Sequence, residues 1–457
     1  MMKKRHTVSF TAILAFAAAF GFFQAAYPYH LMRREQMTLF VFDWEYIRQT
    51  YRGAGWLARF ACDFLDQFFH LPVVGPLVVA LALTAIGTVT YRICRHFMGR
   101  WPSLGVAALL YAWSFLRETE NLFSTRYTLV VLGYLALLLL AFQFRKNAAK
   151  GIAAVVFIGA GCWLLGMPAQ KYYGKWWGTP AVAYDRMIGL DTEVARENWD
   201  KVLQLSEKDL HMTEASYCYN LANAMKGHLG AEYFKHSQDG VNSLFIRVST
   251  DKSPFSNGLA GEVWYQLGDM TIAEQSAIIA LQASPKHTGA RYIKRLAQAS
   301  LKAGQAASAR KYLSLLSGTL FYGKWARERL REPNPDGKSL PKEDFVHYST
   351  RPRPVLQGLL QANPANTAAL EYLLCYDLLN LDLEHFMEDF PEKTVATSIY
   401  EQAVLIQLSL EDRLEEKDLL RYGLDTGALD RMDRFFSNPS RYQHTYWYYY
   451  LEKMNEE

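Results

Sequence analysis

The chain of 457 residues has few of the features that mark chemistry. It contains no phosphate-cradling glycine loop, no Gly-x-Ser-x-Gly elbow and no His-Glu-x-x-His pair. None of its eleven histidines is paired at i, i+4, and His211, His228 and His236 read as surface or packing groups. Five cysteines stand at 62, 94, 162, 218 and 375 without Cys-x-x-Cys or Cys/His spacing. That excludes a zinc site or a dense disulfide framework; no metal and no cofactor is expected. A Cys218–Cys375 bond remains open if that part lies in an oxidising compartment. With a net charge of +4 and no basic tract, the chain offers no nucleic-acid surface.

Charge is also missing over long stretches, and this absence is informative. Val8 to Ala26, Leu71 to Tyr91, Tyr127 to Phe144 and Gly151 to Gln170 are almost wholly apolar, and Trp101 to Leu116 is a shorter fifth stretch. A helix needs roughly 20 such residues to cross about 30 Å of hydrocarbon. Five stretches in series predict a bundle of about five transmembrane helices. Gly159-Ala160-Gly161 falls within the last, where small residues let helices approach.

Positive charges orient this bundle. Lys3, Lys4 and Arg5, then Arg92, Arg95 and Arg100, then Arg145, Lys146 and Lys150 form dense clusters. The segment between Tyr27 and His70 instead balances Arg33, Arg34, Arg48, Arg52 and Arg59 with Glu35, Asp43, Glu45, Asp63 and Asp66. The clusters read as cytoplasmic, so the 27–70 loop and everything after the fifth span lie outside, in an inner-membrane protein. The first span reads as an uncleaved anchor, because the small-residue cleavage pattern around Gln24-Ala25-Ala26 is poor. Lys171, Tyr172, Tyr173, Lys175, Trp176 and Trp177 read as an interfacial belt closing the bundle. From Trp56 to His70 the loop has helical periodicity, Arg59, Asp63, Asp66 and His70 on one face and Phe60, Phe64 and Phe68 on another. An amphipathic helix on the bilayer surface is predicted there.

From about Ala181 the chain reads as helices of 12–16 residues joined by short turns. Gly261, Trp264, Gly268, Ala273, Ala280 and Pro285 fit the 34-residue tetratricopeptide frame. Leu296, Ala297, Gly304, Ala309 and Leu313 repeat its core. The expected organisation is all-α: a first transmembrane helix over 1–26, an external loop over 27–70, a four-helix transmembrane region over 71–174, and soluble tetratricopeptide-like repeats over 181–331. A Pro-rich connection over 332–354 and a carboxy-terminal helical lobe over 355–457 follow. The aromatic segment from Arg441 to Leu451 either caps the last helices or is an exposed sticky patch.

An Arg-Glu-Gln element (Arg34, Glu35, Gln36) after the first span and a Phe-Leu-x-Gln-Phe-Phe element (Phe64 to Phe69) before the second accompany the multi-pass and tetratricopeptide-like parts. The combination resembles a family of functionally uncharacterised membrane proteins of Bacteroidota-type bacteria. The resemblance implies this architecture and carries no activity.

Two functions fit. The first is a scaffold or adaptor held in the bilayer, presenting a helical-repeat surface to a protein partner. The alternative is a polyprenol-dependent glycosyltransferase-like enzyme. Such enzymes keep an acidic base in the first external loop, where Asp43 and Glu45 are the candidates, facing a lipid-linked phosphate held by cations, for which Arg48, Arg117 and Arg126 are candidates. The ordinary reading of these residues is a solvated loop with some charges paired.

Overall fold

The computed structural model describes residues 2–120, 124–144, 147–166, 180–236, 238–332, 351–391, 398–425 and 427–456. Every regular element among them is helical. The aromatic belt at 171–177 and the centre of the Pro-rich connection lie outside the described residues. The amino-terminal helices are α1 (Met2–Gly21, extended by a π-helical turn to Ala26), α2 (Pro28–Gln36), α3 (Trp44–Thr50), α4 (Trp56–Asp66), α5 (Val74–Cys94), α6 (Arg100–Glu118), α7 (Thr125–Ala141) and α8 (Asn147–Leu164). Then come α9 (Val182–Ala195), α10 (Trp199–Ser206), α11 (Thr213–Met225), α12 (Leu229–Glu232), α13 (Pro254–Leu267), α14 (Met270–Ala283), α15 (Ala290–Lys302), α16 (Ala306–Ser317) and α17 (Gly323–Arg331). The last are α18 (Pro352–Ala362), α19 (Thr367–Leu379), α20 (Leu383–Asp389), α21 (Ser398–Leu410), α22 (Glu416–Arg421), α23 (Gly427–Ser437) and α24 (Tyr446–Glu456).

These helices form two compact units whose boundary differs from the expected break near residue 181. The first unit comprises Met1–Ile188 together with Ser284–Ala297 and Ala307–Pro335; the second comprises Gly189–Ala283, Gln298–Ala306 and Asp336–Glu457. A stretch that reads as repeat sequence therefore belongs with the amino-terminal loop.

Among the described residues, α5 is the one straight helix long and apolar enough to cross a membrane. The segment Phe10–Ala26 meets that standard together with α2, across a bend of 76°. Helix α7 is apolar, but its 17 residues span about 25 Å, short of the ~30 Å hydrocarbon layer. Ala148–Leu164 of α8 is also short, and α6, continuous over 19 residues, is not apolar enough to count, with Pro102, Ser103 and Ser114 among its residues. Helix α5 packs on α1, α6 and α7. Its Val79, Ala80 and Leu83 join Ala19, Phe23, Tyr27, Leu31 and Phe69 in a fully buried core. Gly161 of α8 lies against the Tyr134 ring of α7, where an added Cβ would stand 2.8 Å from it, whereas Gly159 faces open space.

In the second unit, α13 and α14 form a hairpin. Gly268, at φ 106°, ends α13, and the Asp269 carboxylate accepts the Ile272 N–H at 2.8 Å to start α14. The two helices cross where Gly261 has no side chain: a Cβ there would lie 2.5 Å from Ser276 Oγ. Ala273 is buried against Tyr265 and Ala299. Helices α10 and α11, α18 and α19, and α19 and α20 also pack as neighbours. Cys218 and Cys375 are both buried free thiols, so the conceivable bond between them is absent. The terminal aromatic segment packs inward. Tyr446 and Trp447 are buried, and Gln402 accepts both the Tyr446 N–H at 2.7 Å and, through its carbonyl, the Trp447 indole N–H at 3.2 Å.

Candidate functional site

The richest concentration of polar side chains lies in the first unit, beneath the 27–70 loop. It is assembled around the break between α1 and α2. Pro28 starts α2 at N1, where its missing N–H is no loss. The next two amides, of Tyr29 and His30, donate to the Asp185 carboxylate of α9 at 3.4 and 2.6 Å. One side chain thus satisfies two N–H groups that the helix start leaves open. Asp185 is buried, and burial raises its pKa to about 7, against the pull of those two amides.

One turn along α2, Arg34 reaches the end of α6. Its guanidinium meets the fully buried Glu118 carboxylate at 2.5 Å, donates to the Glu118 carbonyl at 2.7 Å and to Thr125 Oγ1 at 2.9 Å. Thr128 donates to the other Glu118 oxygen. His30 Nε2 sits 2.9 Å from Arg34 Nη2 and 3.0 Å from the Glu118 carbonyl. Burial, reinforced by the neighbouring Arg34 charge, holds this imidazole well below its ordinary pKa, hence neutral.

Beside this pair, α4 presents its acidic face inward. Helix α4 forms where periodicity predicts it, but Asp63 and Asp66 are buried rather than turned to water. Their partners explain the difference. Lys286 Nζ lies 2.7 Å from both Asp63 oxygens, and Tyr51 donates to Asp63 at 3.0 Å. Lys286 achieves this from a left-handed backbone, φ 60°, which costs a non-glycine residue about 1–2 kcal/mol. The Cys62 thiol donates to Asp66 at 3.3 Å. Cys62, Asp63 and Asp66 place one donor atom each within 4.8 Å of one another, a spacing a metal ion could use. The Lys286 ammonium already supplies the positive charge, however. Burial, with the charges of Asp66 and Asp63, also pushes the Cys62 thiol well above its ordinary pKa, which disfavours the thiolate a metal needs. A third link joins Glu35 to the Tyr322 hydroxyl at 3.1 Å and to His70 Nδ1 at 3.6 Å, with the His70 ring stacked on Phe321 at 4.7 Å. The Phe42 N–H donates to the Gly318 carbonyl at 2.8 Å. The 284–332 segment is thereby fastened onto the loop.

Burial raises Asp66 to a pKa of about 7; Arg34 opposes and Asp63 adds to that rise. An acid whose folded pKa lies above its unfolded value near 3.8 favours the fold when protonated. Its stabilisation is complete below about pH 4 and is lost as pH rises to about 7. Asp185 acts in the same window. Asp66→Asn should therefore flatten the fall in melting temperature between pH 4 and pH 7 in detergent, leaving the shares of Asp185, Glu371 and Asp377, which burial raises into the same window. An unchanged slope would show that Asp66 ionises freely in the fold.

The sequence candidates occupy different places. Asp43 is exposed and caps α3, accepting the Tyr46 N–H at 2.9 Å. Glu45 bonds Gln49 at 2.5 Å and lies 3.6 Å from Arg48, both partners largely in solvent. Arg117 is buried and paired with Glu120 at 3.0 Å. Arg126 is folded against the point where Gly55 meets Leu165 and Gly166. Of the proposed phosphate ligands, the structure brings Arg48 alone beside the acidic candidates, both on α3. Arg48 instead borders a groove of about 970 Å³ lined by Trp44, Tyr51, Arg52, Trp56, Phe60 and Trp163.

The groove depends on a close backbone approach. Gly55, at φ 77°, donates to the Trp163 carbonyl at 2.8 Å, and a Cβ on it would lie 3.1 Å from the Leu165 oxygen. Glycine alone fits both demands without strain.

Helices converging on buried charges define an all-α protein whose Arg-Glu-Gln and Phe-Leu-x-Gln-Phe-Phe elements meet in one polar cluster. The chain belongs to the family of unknown function DUF6057, which it matches over residues 3–172 and 167–453. No curated protein and no solved structure matches it.

Proposed function

We propose that the protein is a multi-pass scaffold or adaptor of the inner membrane, whose five apolar segments hold a tetratricopeptide-like helical domain on the extracytoplasmic side. The observation that carries this reading is the α13–α14 hairpin. Its helices cross at Gly261 and Ser276, the close small-residue contact on which stacked helical repeats are built. Stacked pairs of this kind form surfaces suited to protein partners. The membrane part is supported by large apolar side chains left on helix surfaces: Phe10, Ile13 and Leu14 on α1, and Ile152, Val155, Val156 and Ile158 on α8. The glycosyltransferase-like alternative asks for Asp43 in an enclosed pocket, and an exposed helix cap favours the scaffold.

Two experiments test the reading. Topology reporters fused after Lys150 and after Thr179 are expected on opposite sides, cytoplasmic and extracytoplasmic. Both on the cytoplasmic side would overturn the five-span arrangement. Asp43→Ala loses one helix cap, worth about 1 kcal/mol, and should complement a deletion strain as fully as the wild type. Loss of complementation at undiminished protein level would instead establish the enzyme.

A further inference from the structure

We propose that the groove bounded by α3, α4 and the end of α8 binds an anionic membrane phospholipid, its phosphate held by Arg48 and Arg52 and one of its chains lying along α8. The inference rests on the membrane reading above. Three observations carry it.

The first is the chemistry of the walls. Trp44, Trp56, Phe60 and Trp163 supply aromatic surface, and the charged groups lining the groove are the two guanidinium groups of Arg48 and Arg52. Arg52 Nε donates to the Arg48 backbone carbonyl at 2.7 Å, which holds the Arg52 side chain back along α3 toward Arg48. Arg59 bonds the carbonyls of Arg52 and Ala54 from below and holds the turn that carries them. Planar guanidinium groups match phosphate oxygens bidentately. The Glu45–Arg48 contact at 3.6 Å is exposed to water on both sides, so a phosphate can replace it at little cost.

The second is exposure. Trp44 is 75% exposed and Trp163 60%, values that tryptophan avoids in water but adopts where a bilayer meets it.

The third is a track for the acyl chain. Ile152, Val156, Gly159 and Trp163 fall at helical spacing on one stripe of α8, and all four are exposed. An added Cβ on Gly159 would touch nothing, so the stripe has a shallow trough at its middle. It runs about 16 Å along the helix and ends at the groove.

Native mass spectrometry of the full-length protein in detergent tests this, with dioleoyl phosphatidylglycerol, dioleoyl phosphatidylcholine and inorganic phosphate as probes. Phosphatidylglycerol should bind about thirtyfold more tightly than phosphatidylcholine, as two basic side chains near a lipid surface would give. Arg48→Gln/Arg52→Gln should abolish that preference, and Arg48→Lys/Arg52→Lys should keep part of it. Trp163→Ala should weaken both lipids alike. Equal binding of the two lipids by the wild type, or a preference surviving in the glutamine pair, would overturn the proposal. So would competition by inorganic phosphate alone, which would mark a free-anion site. The wild-type ratio decides the matter even if a variant fails to fold. A protein that binds no lipid and stays dispersed without detergent would overturn the membrane reading itself. Lipids bound without headgroup preference would remove this inference and leave that reading standing.

Discussion

Arg34→Ala is expected to cost about 3–5 kcal/mol of stability, the largest effect of any single substitution considered for this protein. The reason is asymmetry. Glu118 is fully buried, and Arg34 supplies its cationic partner as well as bonds to the Glu118 carbonyl and Thr125. Removing the guanidinium leaves a carboxylate with Thr128 as its remaining side-chain donor among the described residues, in a place water does not reach. Replacing both charges is a different experiment. Arg34→Leu/Glu118→Leu leaves no stranded charge and should be less destabilised than Arg34→Ala, with a coupling of at least about 1 kcal/mol in the double-mutant cycle. Thermal unfolding in detergent micelles measures both. A loss below about 1 kcal/mol for Arg34→Ala would mean that water reaches Glu118.

Gly261→Val should be the next most damaging change, at about 1–3 kcal/mol or somewhat more. A Cβ at 261 would lie 2.5 Å from Ser276 Oγ and 2.7 Å from Ser276 Cβ, and Ser276 is itself fixed by donating to the Asn257 carbonyl. Neither helix can yield without parting the hairpin. Gly105→Ala provides the contrast: its Cβ would meet nothing within 4 Å on an exposed face of α6, and helix propensity favours alanine by about 0.5–1 kcal/mol. Urea or thermal melts that rank the two alike would remove the close-crossing account of α13 and α14.

Helix class was legible in the sequence because it depends on local pattern. The apolar stretches, the helical periodicity from Trp56 to His70 and the spacing of Gly261, Gly268 and Ala273 each act within a few residues. The polar cluster was not legible, because its partners are distant. Nothing local to Asp63 announces Lys286, 223 positions away, or to Glu35 announces Tyr322, 287 away. Periodicity placed Asp63 and Asp66 on one face correctly, yet a polar face suggests water unless a distant lysine is known to cover it. Charge balance, periodicity and resemblance all pointed to Arg34, Glu35 and Phe64 to Phe69, but their roles follow from Glu118, Tyr322, His70 and Phe321. Asp43 attracted attention by its position in the loop, where a carboxylate also makes an ordinary helix cap. Lys286 has no sequence signal at all, since a left-handed lysine looks like any other.

The attachment of 284–332 to the 27–70 loop has a consequence for the newborn chain. Asp63 emerges from the ribosome long before Lys286 exists, and Glu35 before Tyr322. At about 5–20 residues per second, translation takes roughly 10–45 s to cover the distance from Asp63 to Lys286. Throughout that interval Asp63 lacks its ammonium partner and Glu35 lacks the Tyr322 hydroxyl, so the contacts that hold α2 and α4 against the later segment are unmade. The amino-terminal unit is thus completed late in synthesis, and a chain stopped at Ala283 would leave it open, exposed to proteases and to quality control at the membrane.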